Sequence, residues 1–158
     1  MHIATKGSKF DISVENNTAN LAIKLSEFLK KGDVVFLYGE IGVGKTTFVR
    51  YLINNLQKKN KLKLTEVTSP TFNIVNEYEI KNLIIQHYDL FRLKHDGETK
   101  NIGLFENYRD VLTLIEWPEK VNNKPQNVIK LFFEYQEKFE KRFLSIKGIK
   151  NNDLNELL

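Results

Sequence analysis

The 158-residue chain has no cysteine, which excludes disulfide frameworks, cysteine-ligated zinc and thiol catalysis. No apolar run approaches the ~20 residues that a helix needs to span a bilayer, so a transmembrane helix is excluded. Met1–Phe10 lacks the apolar core of an export signal; the cytoplasm is the expected location, and no membrane partner is expected. Arginine is scarce: Arg50, Arg92, Arg109 and Arg142 are the only four, so the net charge of +4 is mostly lysine. Dedicated nucleic-acid binders carry denser basic clusters, often with arginine. The densest run here, Lys58, Lys59, Lys61 and Lys63, reads as a solvated connection after a helix or as a contact with RNA or an acidic partner. Hydrophobic residues at 41% and charged residues at 28% are ordinary for a folded chain, and the length suits one domain over 1–158, with a tail from about residue 148.

Hydrophobic spacing divides the chain. Phe10–Val14 alternates as a short strand. Leu21, Ala22, Leu25, Phe28 and Leu29 recur at helical spacing, with Asn17 or Thr18 as the expected cap and Gly32 as the expected left-handed stop. Val34–Tyr38 is a continuous apolar run, the pattern of a strand buried inside a parallel sheet. Phe48, Val49, Leu52, Ile53 and Leu56 mark a second helix. Phe72–Tyr78 and Leu83–Asp89 read as a hairpin turning at Lys81-Asn82. Phe91–Tyr108 reads as loops and short helical pieces, and Val111–Glu116 as another buried strand. Asn127–Tyr135 and Phe143–Lys147 read as a late antiparallel pair, and Asn151–Leu158 as a short helix. The expected fold is a three-layer α/β domain with a mixed sheet.

Between the buried strand and the second helix lies Gly39-Glu-Ile-Gly-Val-Gly-Lys-Thr46, which matches G-x-x-x-x-G-K-[ST], the Walker A pattern of P-loop nucleotide-binding proteins. Glycines let such a loop wrap so that successive N–H groups face one anion, and the helix that follows adds its N-terminal dipole. Glu40, Ile41, Gly42, Val43, Gly44, Lys45, Thr46 and Thr47 are therefore the expected phosphate cradle. Lys45 is expected to bridge the β- and γ-phosphates and Thr46 to offer its hydroxyl to Mg²⁺.

Such a site needs a carboxylate at the end of a neighbouring strand. Asp89 and Glu116 both end apolar runs, and either can be the direct metal ligand. Thr68-Ser-Pro-Thr71 is a polar turn or a loop that senses a γ-phosphate. His87 shares a strand face with Asp89 and reads first as a packed histidine. Trp117 reads as part core and part pocket wall. Guanine-reading sites carry N-K-x-D; Asn123-Lys-Pro-Gln126 lacks the aspartate, which favours ATP. The competing functions are a small-molecule kinase, a GTP-binding switch and a tRNA-binding protein. Four scattered arginines argue against the first, the missing aspartate against the second and the modest charge against the third.

Taken together, Gly39–Thr47, Ser69-Pro-Thr-Phe72, His87-Tyr-Asp-Leu-Phe-Arg-Leu93 and Ile115-Glu-Trp-Pro-Glu119 resemble the bacterial TsaE (YjeE) family, over about Val14–Tyr135. The resemblance implies a cytoplasmic ATPase that assists the TsaD–TsaB threonylcarbamoyl transferase in tRNA modification and meets tRNA only indirectly. It puts Mg²⁺ on Thr46 and Glu116 and makes Asp89 necessary for hydrolysis. It gives the base side of the nucleotide to Val14, Glu15 and Thr18. Phe91 stands where that family usually has tyrosine.

Overall fold

Val34–Tyr38 (β2) is the centre of a mixed seven-stranded sheet in the computed structural model, which describes residues 9–70, 72–95 and 97–157. The other strands are β1 (Lys9–Asp11), β3 (Val75–Ile80), β4 (Leu83–Asp89), β5 (Leu112–Glu116), β6 (Ile129–Gln136) and β7 (Lys141–Lys147). Their order is β1-β7-β6-β2-β5-β4-β3. β2 runs parallel to β5 and β6, and β5 parallel to β4, whereas β1–β7, β6–β7 and β3–β4 are antiparallel. The two central parallel strands, β2 and β5, are buried on both faces, which is why they read as predominantly apolar runs.

Helices α1 (Glu15–Ser26) and α2 (Lys45–Lys59) pack on each other and on one face, with α4 (Asn151–Leu157) beside α1. Leu21, Leu25, Phe48, Leu52 and Ile53 meet Val35, Leu37 and Leu114 there. The opposite face, with Val34, Phe36, Tyr88 and Ile115, is covered by Leu90, Leu93, Val121 and Val128 from connecting segments, with Ile102 and Leu104 packing on it just after the short α3 (Glu98–Asn101). Three layers result, as the hydrophobic pattern predicts. Among the described residues no helix is long and apolar enough to cross a membrane.

Several boundaries differ from the sequence reading. α1 starts at Glu15, with Val14 at its N-cap and no side-chain cap. The expected cap Asn17 instead donates its side-chain amide to the Asp11 carbonyl at 3.0 Å, and Thr18 is buried inside the helix. α1 ends at Ser26, six residues before Gly32. Ser26 turns its hydroxyl onto the Ile23 carbonyl (2.6 Å) and accepts from Asn55, so the chain leaves the helix while Phe28 and Leu29 keep their core contacts. Gly32, at φ +89°, serves the turn into β2, where its N–H bonds to the Val111 carbonyl. β1 stops at Asp11, whose carboxylate accepts from the Ser13 N–H. β3 starts at Val75 because Ile74 sits at φ +64° and gives its carbonyl to the Asp89 N–H. Thr71 and Leu158, to which the sequence reading gave a loop and a helix end, lie outside the described residues.

Thr113 in β5 is 1% exposed and its hydroxyl has no hydrogen-bond partner among the described residues. Thr113→Val keeps the shape and removes the stranded group, so it is expected to stabilise the protein by about 1 kcal/mol in urea unfolding. A loss of stability would mean that the hydroxyl is bonded.

Candidate functional site

Register fixes the site. Leu37, Glu116 and Asp89 stand on one row across β2, β5 and β4, at the carboxyl ends of the parallel strands. In open α/β sheets ligands bind outside that edge. The chain leaves β2 through Gly39–Gly44 and enters α2 at Lys45. Gly39 has φ +148°, and an added Cβ would lie 2.8 Å from the Phe133 carbonyl oxygen, so the chain passes β6 this closely only as glycine. Gly44, the N-cap of α2, has φ +118°, and an added Cβ would meet nothing within 4 Å. α2 has neither a side-chain cap nor an acidic residue in its first turn. Its first N–H groups therefore keep their donor capacity for an anion.

The loop borders a cleft of ≈ 340 Å³. Ile41, Gly42, Gly44, Lys45, Thr46 and Thr47 line it from the loop and helix; Ser69, Asp89, Phe91, Glu116 and Trp117 line it from the sheet edge. Glu40 contributes its carbonyl, which accepts from Lys45 Nζ at 3.3 Å. Val43 is turned into the core, 1% exposed. The Thr46 hydroxyl donates to Glu116 Oε1 at 2.8 Å, and His87 Nε2 reaches the same oxygen at 2.9 Å. Asp89 is held from both sides: the Ser69 hydroxyl donates to Oδ2 and the Phe91 N–H donates to Oδ1 at 3.0 Å.

Lys45 is folded onto its own loop, donating to the Gly39 carbonyl as well as to Glu40, with Nζ 4.0 Å from the centre of the Trp117 ring. Trp117 takes a left-handed conformation (φ +60°) that is uncommon for a bulky residue, and its ring also meets Phe91 at 4.8 Å. Burial pushes the Lys45 ammonium below the usual lysine range, against the opposing pull of Glu116, Glu119 and Asp89.

The residues fit a nucleotide with Mg²⁺. Backbone donors and an ammonium suit phosphate, while a hydroxyl and a carboxylate suit a hard cation. Among the described residues no group of three or more His, Cys, Asp or Glu could hold a metal alone, and Mg²⁺ is usually held by one or two carboxylates together with substrate phosphates. The residues expected on the base side follow Ser13, which accepts the backbone N–H of Arg142 at 3.0 Å. Val14 is exposed, Thr18 is buried in α1, and Glu15 accepts from Tyr51 at 2.7 Å and Arg50 at 3.1 Å; none of them lines the cleft. Arg142 does line it, and sequence reasoning missed it. It lies on β7, its N–H bonded to Ser13 Oγ at 3.0 Å and its guanidinium 5.6 Å from the Tyr135 ring, whose hydroxyl in turn faces Gly42. The β6–β7 pair sets it opposite Tyr135 and the chain before α1 holds its backbone, and no local motif marks it.

The sequence model of the "Threonylcarbamoyl adenosine biosynthesis protein TsaE" family matches residues 12–143. The chain belongs to the TsaE family. Proteins named tRNA threonylcarbamoyladenosine biosynthesis protein TsaE are similar to it. The one from Rickettsia felis is 40% identical over 109 residues, 69% of this chain and 61% of that protein. The one from Aquifex aeolicus is 36% identical over 115 residues, 73% of this chain and 78% of that protein. The matches thus span only 61% and 62% of the Rickettsia felis and Rickettsia conorii proteins. The crystal structure of Bacillus subtilis YdiB superimposes with TM-score 0.72 over 99% of this chain and 97% of that one, at 24% identity, and so shares the fold.

Because the buried Lys45 holds fewer protons at a given high pH than an unfolded lysine, its charge costs stability near neutrality, and the cost fades as pH rises through the lowered range. Lys45→Met is therefore expected to melt, without ligand, at the same temperature as the parent or higher. A clear drop in melting temperature would show that the ammonium supports the fold.

Proposed function

We propose that this TsaE-family chain is a magnesium-dependent ATPase of the cytoplasm. Its cycle is read by the TsaD–TsaB threonylcarbamoyl transferase during threonylcarbamoyladenosine modification of tRNA, and it meets tRNA only through that complex. The observation that carries the reading is the Thr46–Glu116 hydrogen bond, 2.8 Å, directly under the open N-terminus of α2 and beside Lys45. Family membership supplies the pathway.

In this reading Mg²⁺ supplies charge neutralisation to the β- and γ-phosphoryl oxygens. The N–H groups of the Gly42–Thr46 stretch bind the phosphates. Lys45 leaves its carbonyl partners for the β- and γ-phosphoryl oxygens, which replace weak neutral acceptors with charged ones. Thr46 and Glu116 hold the cation. Asp89, fixed by Ser69 and the Phe91 N–H, orients the water that attacks the terminal phosphorus. Trp117 and Phe91 shut bulk water from that side of the cleft. The base is adenine in this reading because Asn123-Lys124-Pro125-Gln126 has no carboxylate to accept the N–H groups of guanine.

The purified chain is expected to release phosphate from ATP without an added acceptor, and Lys45→Ala is expected to abolish this. ATP should also raise the melting temperature more than GTP at equal concentration, since ligand binding to the native state stabilises by mass action. Full activity in Lys45→Ala would overturn the site, and equal shifts with GTP would overturn the choice of base.

Hydrolysis to ADP and phosphate makes no useful product alone, so it must be read out by a partner. Ser69 is the candidate reader: it lies in the connection after α2 and its hydroxyl bonds to Asp89. Two nucleotide states can change partner affinity only by their difference in contacts, roughly 5–150-fold. Ser69→Ala is expected to leave ADP binding nearly intact and to flatten the ATP-dependent change in TsaD–TsaB association. A variant that switches partner affinity as fully as the parent would move the coupling elsewhere.

A further inference from the structure

His87 has no part in the reaction as described, yet it is in contact with its central carboxylate. It lies on β4 opposite Leu114 of β5, two residues before Asp89 and two before Glu116 on their strands. Its ring is completely buried, 0% exposed, and Glu116 is 2% exposed. Among the described residues the imidazole makes one hydrogen bond, Nε2 to Glu116 Oε1 at 2.9 Å, and Nδ1 has no partner.

The atoms decide the direction of that bond. A carboxylate oxygen has only lone pairs to offer, so the hydrogen lies on Nε2 and the imidazole donates. Leaving a buried ring nitrogen unpaired costs about 1–3 kcal/mol, a penalty that a leucine in the same space would not carry. Packing alone therefore accounts poorly for a histidine here. Its one polar contact is what a leucine would lose.

Both donors, Thr46 and His87, converge on Oε1. They differ in what binding asks of them. The Thr46 hydroxyl is needed by the cation, and a hydroxyl that turns a lone pair to a metal loosens its other contact. His87 is fixed inside the sheet and keeps its hold. We infer that His87 is a positioning residue that holds the Glu116 carboxylate in its metal-binding rotamer when Thr46 turns away from it. The inference rests on the ATPase reading above. Carboxylates that hold metals are themselves held by hydrogen bonds, and removing such support typically costs 10–100-fold in metal affinity.

The test is a Mg²⁺ titration of the ATP-induced melting shift, with ADP binding in EDTA as the metal-free control. His87→Leu is expected to raise the Mg²⁺ concentration at half-effect by about 10–100-fold and to leave metal-free ADP binding unchanged. His87→Gln, which restores an N–H at similar reach, is expected to recover most of the loss. His87→Met serves as a second variant without a donor should His87→Leu not fold. A Leu or Met variant that titrates like the parent overturns the inference. So does a loss that His87→Gln fails to recover, or a set in which His87→Gln folds and neither variant lacking the donor does. A parent chain with no Mg²⁺-dependent response to ATP overturns the ATPase reading, and this inference with it.

Discussion

A carboxylate buried at 2% exposure is costly unless its oxygens are bonded, and much of the arrangement around Glu116 follows from that requirement. One donor comes from the first turn of α2 and the other from β4. The helix must therefore begin directly above the end of β5. It can do so only if β2, which feeds it, lies beside β5 in parallel register. Likewise β4 must flank β5 on the other side, which puts Asp89 level with Glu116. The order β2-β5-β4 and the position of the loop are thus one constraint seen from different strands.

Features carried by local pattern were legible in the sequence. Val34–Tyr38, Leu83–Asp89 and the stripe from Phe48 to Leu56 each state their structure within a few residues, and the structure has them at or near those bounds. Gly39–Thr46 announces itself because phosphate binding demands particular residues at fixed offsets. Errors fell where a side chain could satisfy the backbone in more than one way. Asn17 looked like a cap and instead holds the Asp11 carbonyl; Ser26 ended a helix whose apolar stripe continued through Phe28 and Leu29. Arg142 was illegible for a different reason. It reaches the cleft opposite Tyr135 in the β6–β7 pair and is fixed there by Ser13, more than a hundred positions away, and no motif around Arg142 records that contact.

The site is held partly against itself. Lys45 is folded onto carbonyls and an indole face, burial works against its charge, and Trp117 occupies a conformation that bulky residues avoid. Each is a local cost that the rest of the sheet sustains, the pattern expected where a site is shaped for a ligand and not for stability.

These costs also form one connected line. Ser69 bonds to Asp89, Asp89 to the Phe91 N–H, the Phe91 ring meets Trp117, and Trp117 lies under Lys45. Each link is a contact between groups that a ligand in the cleft would touch or displace. Contiguity alone does not make a signal; a signal needs an element with two discrete arrangements that both ends bias. Lys45 meets that description best. In the ATPase reading it would exchange its own carbonyls for a ligand's phosphates, and the Trp117 ring would lose a cation from its face. The Trp117–Phe91 contact must then be balanced against a different neighbour, and Phe91 is tied through its backbone to Asp89. Ser69 also borders the cleft itself, so the aromatic pair with its two hydrogen bonds is one route between Ser69 and Lys45, and the cleft is the other.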